Sequence, residues 1–323
     1  VRLEQRDDGS ARLVVTQGIR FDCGQGAWAR YPLSAHGEAF IPAVVQGPGE
    51  RQRRRLRFLL DTGSNFQVRL DARTAGRLRA WVSEEAEPLE SVDVLGASPS
   101  FPGVLGELRI GPVLIQPAAV LVGAARVRVP PTLGETFIDR CLRGVVIDRR
   151  AGSCAVLFKT ASDGATPETP QGWVGIPWER SFLAGESESS EGRRSAMRTI
   201  PVRVGDREYR AVLDTGSPAG VFSFVDLPVD GPAFEESIRA AGRRGRAVTR
   251  TLSEPLHVGP LTLEGVLVTR AAVPDGAERS PALVIGLATL GDVPVWFDPI
   301  AGEVRLWMRE GPAELPAPQP TVP

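Results

Sequence analysis

Apolar residues along this chain come in short runs rich in Val, Ile and Leu, each closed by Gly, Pro or Asp. "FIPAVVQG", "RFLLDTG", "ELRIGPVLI" and "GVVIDRRAG" in the first half are of this kind, and the second half continues in the same manner. Short β-branched runs between turn residues predict strands, and "IDRRAGSCAVLF" and "FDPIAGEVRLW" predict hairpins turning at Ala-Gly. Helical periodicity is scarce. Leu70–Val82 ("LDARTAGRLRAWV") and Pro232–Gly245 ("PAFEESIRAAGRRG") are the two segments whose spacing predicts a helix. The expected fold is therefore all-β with few short helices.

The apolar blocks recur in order. "FIPAVVQG" at Phe40 matches "TIPVRVGD" at Thr199, and each leads to Asp-Thr-Gly-Ser, at Asp61 and at Asp214. "ELRIGPVLI" then matches "PLHVGPLTL", "TLGETFI" matches "VIGLATL", and "GVVIDRRAGSCAVLF" matches "VPVWFDPIAGEVRLW". Ordered matches at a nearly constant offset point to a duplication. They predict two β-barrel-like lobes related by a pseudo-two-fold axis, residues 40–160 and 197–308. Residues 161–196 are polar and Pro/Gly/Ser-rich and read as an interlobe linker. Residues 309–323 form a Pro-rich tail. Residues 1–39 are either an extra strand or a pro-like segment.

At 323 residues the chain is long enough for two such lobes. Its 38 basic and 39 acidic residues nearly cancel, which argues against a nucleic-acid partner. The Arg51–Arg57 run "RQRRRLR" reads as a solvated hairpin tip. No apolar run reaches the length of a membrane span. Two His and three dispersed Cys do not make a metal site, and no cofactor is called for. The chain opens at Val1 rather than Met, so a preceding segment is expected, with a periplasmic or secreted location favoured. Cys141 and Cys154 flank the hairpin closing the first half. They could pair, Cys23 could compete for either, or all three could be reduced.

The repeated Asp carries the chemistry. A hydrolase needs an activated water and a proton for the leaving group. Two carboxyls held together supply both, because like charges a few Å apart cannot both ionise. One Asp from each lobe, Asp61 and Asp214, would meet on the pseudo-axis. The apolar runs ahead of them would be buried strands, and Gly63 and Gly216 would let the backbone turn tightly. Thr62 and Thr215 can hydrogen-bond across the axis, while Ser64 and Ser217 can donate to the carboxylates. A hydroxyl donor lowers a carboxyl pKa, while burial in the cleft raises it and the like charge raises only the second ionisation; with a donor at both positions the balance predicts an acidic optimum at roughly pH 3 to 5.5.

"DTGSNFQV", "DTGSPAGVFS" and the later apolar-apolar-Gly of each half ("TLG" and "VIG") resemble the two signatures of aspartic proteases of the pepsin/retropepsin superfamily. The resemblance covers most of the chain. It implies a bilobal cleft with an Asp61/Asp214 dyad, an interlocked Thr62/Thr215 pair and a β-hairpin flap over the cleft. Its implied activity is cleavage of a protein or peptide substrate by a monomer. The flap position falls on Val92–Leu108, with Gly96, Ala97, Ser98, Phe101 and Gly103 as candidate substrate contacts, and on Gly245–Leu256 in the second half. The chain has only two tyrosines, Tyr31 and Tyr209, so the flap tyrosine of pepsins is missing. The paired flap segments resemble a retropepsin dimer fused into one chain. A cleft that binds peptides without cutting them is the alternative. Asp148 and Asp298 also recur, in hairpin turns, and read as structural. Trp81, Trp173, Trp178, Trp296 and Trp307 read as core or cleft wall, and His36 and His257 have no triad partner nearby.

Overall fold

The computed structural model describes residues 2–5, 11–14, 18–21, 28–83, 88–93, 96–123, 129–159, 169–182, 196–217, 220–240, 243–271 and 281–315. Among them the chain is almost all β, with two short helices, Ala72–Arg77 and Glu135–Cys141, and a 3-10 turn, Leu287–Leu290.

The two halves share one wiring. In the first, Phe40–Gln46 and Arg53–Leu60 form a hairpin, and Glu107–Ile110 adds to its free side. In the second, Ala196–Val204 and Arg207–Asp214 form the hairpin, and Leu256–Val258 adds to it. Thr132–Leu133 lies parallel to Arg53–Leu60 and antiparallel to Val68–Asp71. Leu283–Gly286 is threaded identically between Arg207–Asp214 and Val221–Ser223. Outside these come Ala118–Gly123 and Gly96–Leu105 in the first half, and Leu267–Arg270 and Arg243–Leu252 in the second. The turns match as well. Gly111 and Gly259, which begin the two Gly-Pro turns, sit at φ +53° and +54°, a conformation that favours glycine.

The halves join through a six-stranded sheet. Its order is Trp173–Pro177, Glu303–Trp307, Val295–Asp298, Leu142–Asp148, Ser153–Phe158, Trp28–Pro32. The central pair, with Val146 opposite Trp296, is where the two copies meet. Trp28–Pro32 ("WARYP") and Trp173–Pro177 ("WVGIP") take equivalent edge places, so the correspondence between the halves extends beyond the blocks found by sequence. Residues 173–182 are accordingly strand and not linker: Glu179–Phe182 pairs with the start of Ala196–Val204. One apolar core runs through both lobes, including Phe58, Leu60, Ile200 and Leu213. A second, smaller cluster gathers Trp173, Trp296 and Trp307 edge-to-face on the outer face of the joining sheet.

Two helix expectations meet different outcomes. Leu70–Val82 holds a helix of six residues, Ala72–Arg77, started by Asp71, whose carboxylate accepts the Thr74 N–H at 2.7 Å. Pro232–Gly245 is not helical. Val229–Ala240 is a strand paired with Arg243–Leu252, and nearly all of its described residues are exposed. Isolated 3.6-residue spacing carries little weight beside a partner strand rich in Val and Thr, "RAVTRTL". Trp81 is 43% exposed and is neither core nor an enclosed wall. Asp148 and Asp298 accept backbone N–H groups of their own turns, from Ala151 and from Ile300 and Ala301.

Cys141 and Cys154 are free and buried. Leu142, next to Cys141, pairs with Phe158, whereas Cys154 pairs with Ile147 farther along the strand. At about 3.3 Å per residue the two cysteines lie well beyond the roughly 7 Å Cα limit for a disulfide. Cys23 lies outside the described residues. Burial pushes both thiols up to about 12, so neither offers a thiolate near neutral pH. In mass-spectrometric labelling with a thiol reagent, Cys141 and Cys154 are expected to react only after unfolding, with no peptide linking them. A linked peptide from unreduced protein would contradict the strand register.

Candidate active site

Each Asp-Thr-Gly-Ser leaves the end of a buried strand. Phe58, Leu59 and Leu60 lead to Asp61, and Ala211, Val212 and Leu213 to Asp214, all buried. The threaded strands hold the turns from behind. The Asp61 N–H donates to Leu133 O at 2.9 Å, and the Glu135 N–H donates to Ser64 O at 2.7 Å. Gly134 has no room for a side chain, since a Cβ there would lie 2.4 Å from Ser64 O. In the second half, Asp214 pairs with Gly286 in parallel register.

The two turns interlock. Thr62 Oγ1 donates to Leu213 O at 2.5 Å and accepts the Thr215 N–H at 3.0 Å. Thr215 Oγ1 donates to Leu60 O at 2.6 Å and accepts the Thr62 N–H at 3.0 Å. Both threonines are almost fully buried. Each hydroxyl satisfies one carbonyl and one amide that would otherwise be orphaned at the junction between lobes, so the four bonds fix the turns relative to each other.

That arrangement brings each carboxyl against the opposite turn, close enough for the two acids to act on each other. The Gly63 N–H donates to Asp61 Oδ1 at 3.0 Å, and the Gly216 N–H to Asp214 Oδ1 at 2.7 Å. The glycines also admit the opposite carboxyl. A Cβ on Gly63 would lie 2.5 Å from Asp214 Cγ, and one on Gly216 would lie 2.6 Å from Asp61 Cγ. Only glycine permits that approach in either turn.

Burial raises the pKa of both acids. Asp61 is lifted well above the ordinary carboxylate range by burial first, then by the charge of Asp214 and the hydrogen bond between them. Asp214 is raised less, because the Asp61 hydrogen bond and the N–H groups of Gly216, Ser217 and Gly63 favour its charged form. The expected downward pull of two serine hydroxyls is thus outweighed. Desolvation dominates, and the named donors are backbone amides. Ser64 is buried and binds Glu135 through its carbonyl.

The flap candidates divide. Gly96, Ala97 and Ser98 pair with Asp93, Val92 and Ser91 on two antiparallel strands, and residues 94–95 lie outside the described residues. Phe101 and Gly103 sit lower, inside the sheet. Gly103 pairs with Val120 on one side and Val82 on the other, which removes it from the flap tip. The corresponding hairpin of the second half, Val229–Ala240 with Arg243–Leu252, is longer and begins earlier than the Gly245–Leu256 segment expected from sequence. Its exposed Phe234 and Val248 show that sequence reasoning missed half of it.

Sequence reasoning also missed Glu135. It follows the "TLG" signature, is buried, and accepts the Arg198 N–H from the second lobe at 3.1 and 3.3 Å on its two oxygens. The signal was present in the repeat, where "TLGE" aligns with "VIGL" and an acid replaces a leucine. Among the described residues no group of His, Cys, Asp and Glu could hold a metal, and no helix is long and apolar enough to cross a membrane.

No protein-family description matches the sequence, and no curated protein does. Among solved structures, a retropepsin-like aspartic protease from Rickettsia conorii matches at 16% identity, over 44% of this chain and 96% of that chain, with a TM-score of 0.30.

Proposed function

We propose that the protein is an aspartic endopeptidase whose dyad is Asp61 and Asp214. The observation that carries this reading is the pair of interlocked Asp-Thr-Gly-Ser turns, each with its glycine packed against the opposite, partly buried carboxyl. Two carboxyls held this close share one proton, because removing the second would place like charges together. Of the two, Asp214 has the larger set of amide donors, from Gly216, Ser217 and Gly63, which favours its charged form and leaves the shared proton on the Asp61 side.

A water bound between them loses a proton to Asp214 as its oxygen attacks the scissile carbonyl carbon. Asp61 gives its proton to the carbonyl oxygen, leaving a tetrahedral gem-diol. Collapse of the diol breaks the C–N bond, the nitrogen leaves with the proton from Asp214, and Asp61 recovers a proton from the diol hydroxyl. No covalent intermediate forms. One chain supplies both carboxyls, so a monomer suffices. Residues 40–160 and 197–308 act as the two lobes, and the substrate lies extended between them as an added strand.

The test is cleavage of a denatured protein at acidic pH, with a statine-type mimic of the gem-diol as inhibitor. Expected are cleavage, tight competitive inhibition, and no response to chelators or to serine and cysteine reagents. Binding of the mimic without cleavage would favour the non-cutting peptide binder. Neither binding nor cleavage would sink the reading.

A further inference from the structure

Glu135 belongs to two parts of the molecule at once. Its backbone N–H is bonded to Ser64 O in the first catalytic turn. Its side chain reaches into the second lobe and accepts the Arg198 N–H on the strand Ala196–Val204. With Arg198, Thr62 and Leu213 it lines a cavity with room for about one water, directly behind the interlocked threonines. Thr62 and Leu213 are themselves hydrogen-bonded partners in that interlock. The second half offers no counterpart, since a buried leucine, Leu287, follows its Gly286.

The surroundings hold the carboxyl in place. Arg198 stacks its guanidinium 4.1 Å from the Trp178 ring centre and pairs with Asp139, one helical turn beyond Glu135. Arg180, from Glu179–Phe182, pairs with the same Asp139 at 3.4 Å. The charged groups facing Glu135 are therefore Arg198 and Arg180 from two strands, Asp139 on its own helix, and Asp214 from the second turn. Burial is the main reason its pKa stands at about 7, with Asp214 adding to the rise and the two arginines opposing it.

We propose that Glu135 is a positioning residue for the dyad, tying the first catalytic turn to the second lobe through the Arg198 amide and lying against the second turn through the cavity it shares with Thr62 and Leu213. The proposal rests on the aspartic peptidase reading for its kinetic consequence but not for its electrostatic one. In Glu135→Gln the amide oxygen still accepts from Arg198. In Glu135→Leu, which copies the second half, the Arg198 amide is left unpaired in a buried site. A slight misplacement of the first turn then weakens proton transfer without touching substrate contacts.

Two measurements test it. Kinetics come first, with active sites counted by tight-binding inhibitor so that unfolded protein does not contribute. Glu135→Gln is expected to keep kcat within about twofold, and Glu135→Leu to lose about tenfold or more in kcat with KM unchanged. A leucine variant matching the unmodified enzyme, a glutamine variant falling as far as leucine, or a loss confined to KM overturns the proposal. The second measurement needs no catalysis. The 13C carboxyl resonance of Glu135, assigned by its disappearance in Glu135→Gln, is titrated in the unmodified protein and in Asp214→Asn. Its midpoint is expected to fall in Asp214→Asn, because a neighbouring negative charge has gone. An unchanged midpoint overturns the coupling whether or not the chain cuts peptides.

Discussion

Asp61→Asn and Asp214→Asn are each expected to lower peptide cleavage by about 10³-fold or more while leaving the fold intact. Asparagine keeps the shape of the side chain and an oxygen that can accept the amide bond from Gly63 or Gly216, so the turn geometry survives. What disappears is the shared proton. With Asn at 214, no base takes the proton of the attacking water. With Asn at 61, no acid protonates the carbonyl oxygen as the gem-diol forms. On the proposed mechanism the effects should not add, because a dyad that acts as one unit is abolished by removing either half. The acid left behind also changes. In Asp214→Asn the lift from burial remains, but Asp61 loses the like charge that adds to it, so its pKa should fall. Turnover numbers and far-UV circular dichroism of the purified variants check the claim. Either variant retaining cleavage within tenfold of the unmodified protein would sink the shared-dyad mechanism.

Much of the site was legible because it is written twice. "FLLDTG" and "AVLDTG" put three apolar residues before each Asp, and the later "TLG" and "VIG" supply the strands that thread behind the turns. The register follows from these blocks: Leu133 pairs with Leu60 and Ile285 with Leu213, each just ahead of its Asp. The Gly-Pro turns and Ala-Gly hairpins were legible for a similar reason, since positive φ leaves few residue choices at such positions.

What escaped depended on partners distant in sequence. "PAFEESIRAAG" has helical spacing, and only its pairing with Arg243–Leu252 makes it a strand. Trp28–Pro32 and Trp173–Pro177 share only a tryptophan and a proline four residues on, too little to mark a repeat until both appear at the edges of the joining sheet. Nothing in the sequence marks Glu135 as buried, and only the strand Ala196–Val204 laid against it makes it so. The extent of burial, which depends on the same distant partners, reversed the electrostatics. Serine hydroxyls beside the Asp are visible in sequence and predict lowered pKa values, whereas desolvation, which wins, requires the packed lobes.

That reversal leads to an unusual stability profile: the folded protein is expected to be more stable at pH 4.5 than at pH 7.5. A carboxyl whose folded pKa exceeds its unfolded value binds more protons folded than unfolded across the interval between them. Its stabilising contribution is full below the unfolded pKa and is lost as pH rises through the folded one. For Glu135 the interval runs from the ordinary 4.5 to about 7. At 1.36 kcal/mol per pKa unit this amounts to about 3 kcal/mol lost on going to neutral pH. Asp61, Asp214 and Asp298 are raised by burial and act with the same sign, so the dyad and its neighbour make the acidic form the better-folded one. The catalytic window should move with them. Singly protonated carboxyls persist to higher pH than unburied ones would, so the alkaline limb of activity lies above the pH 5.5 that hydroxyl donors alone would imply. Urea unfolding at the two pH values measures the first effect directly. Glu135→Gln, which cannot ionise, should recover about 3 kcal/mol of the loss and leave the remainder to the aspartates. Stability that rises steadily from pH 4.5 to 7.5, with Glu135→Gln parallel to the unmodified protein, would mean that these carboxyls are not desolvated in the fold.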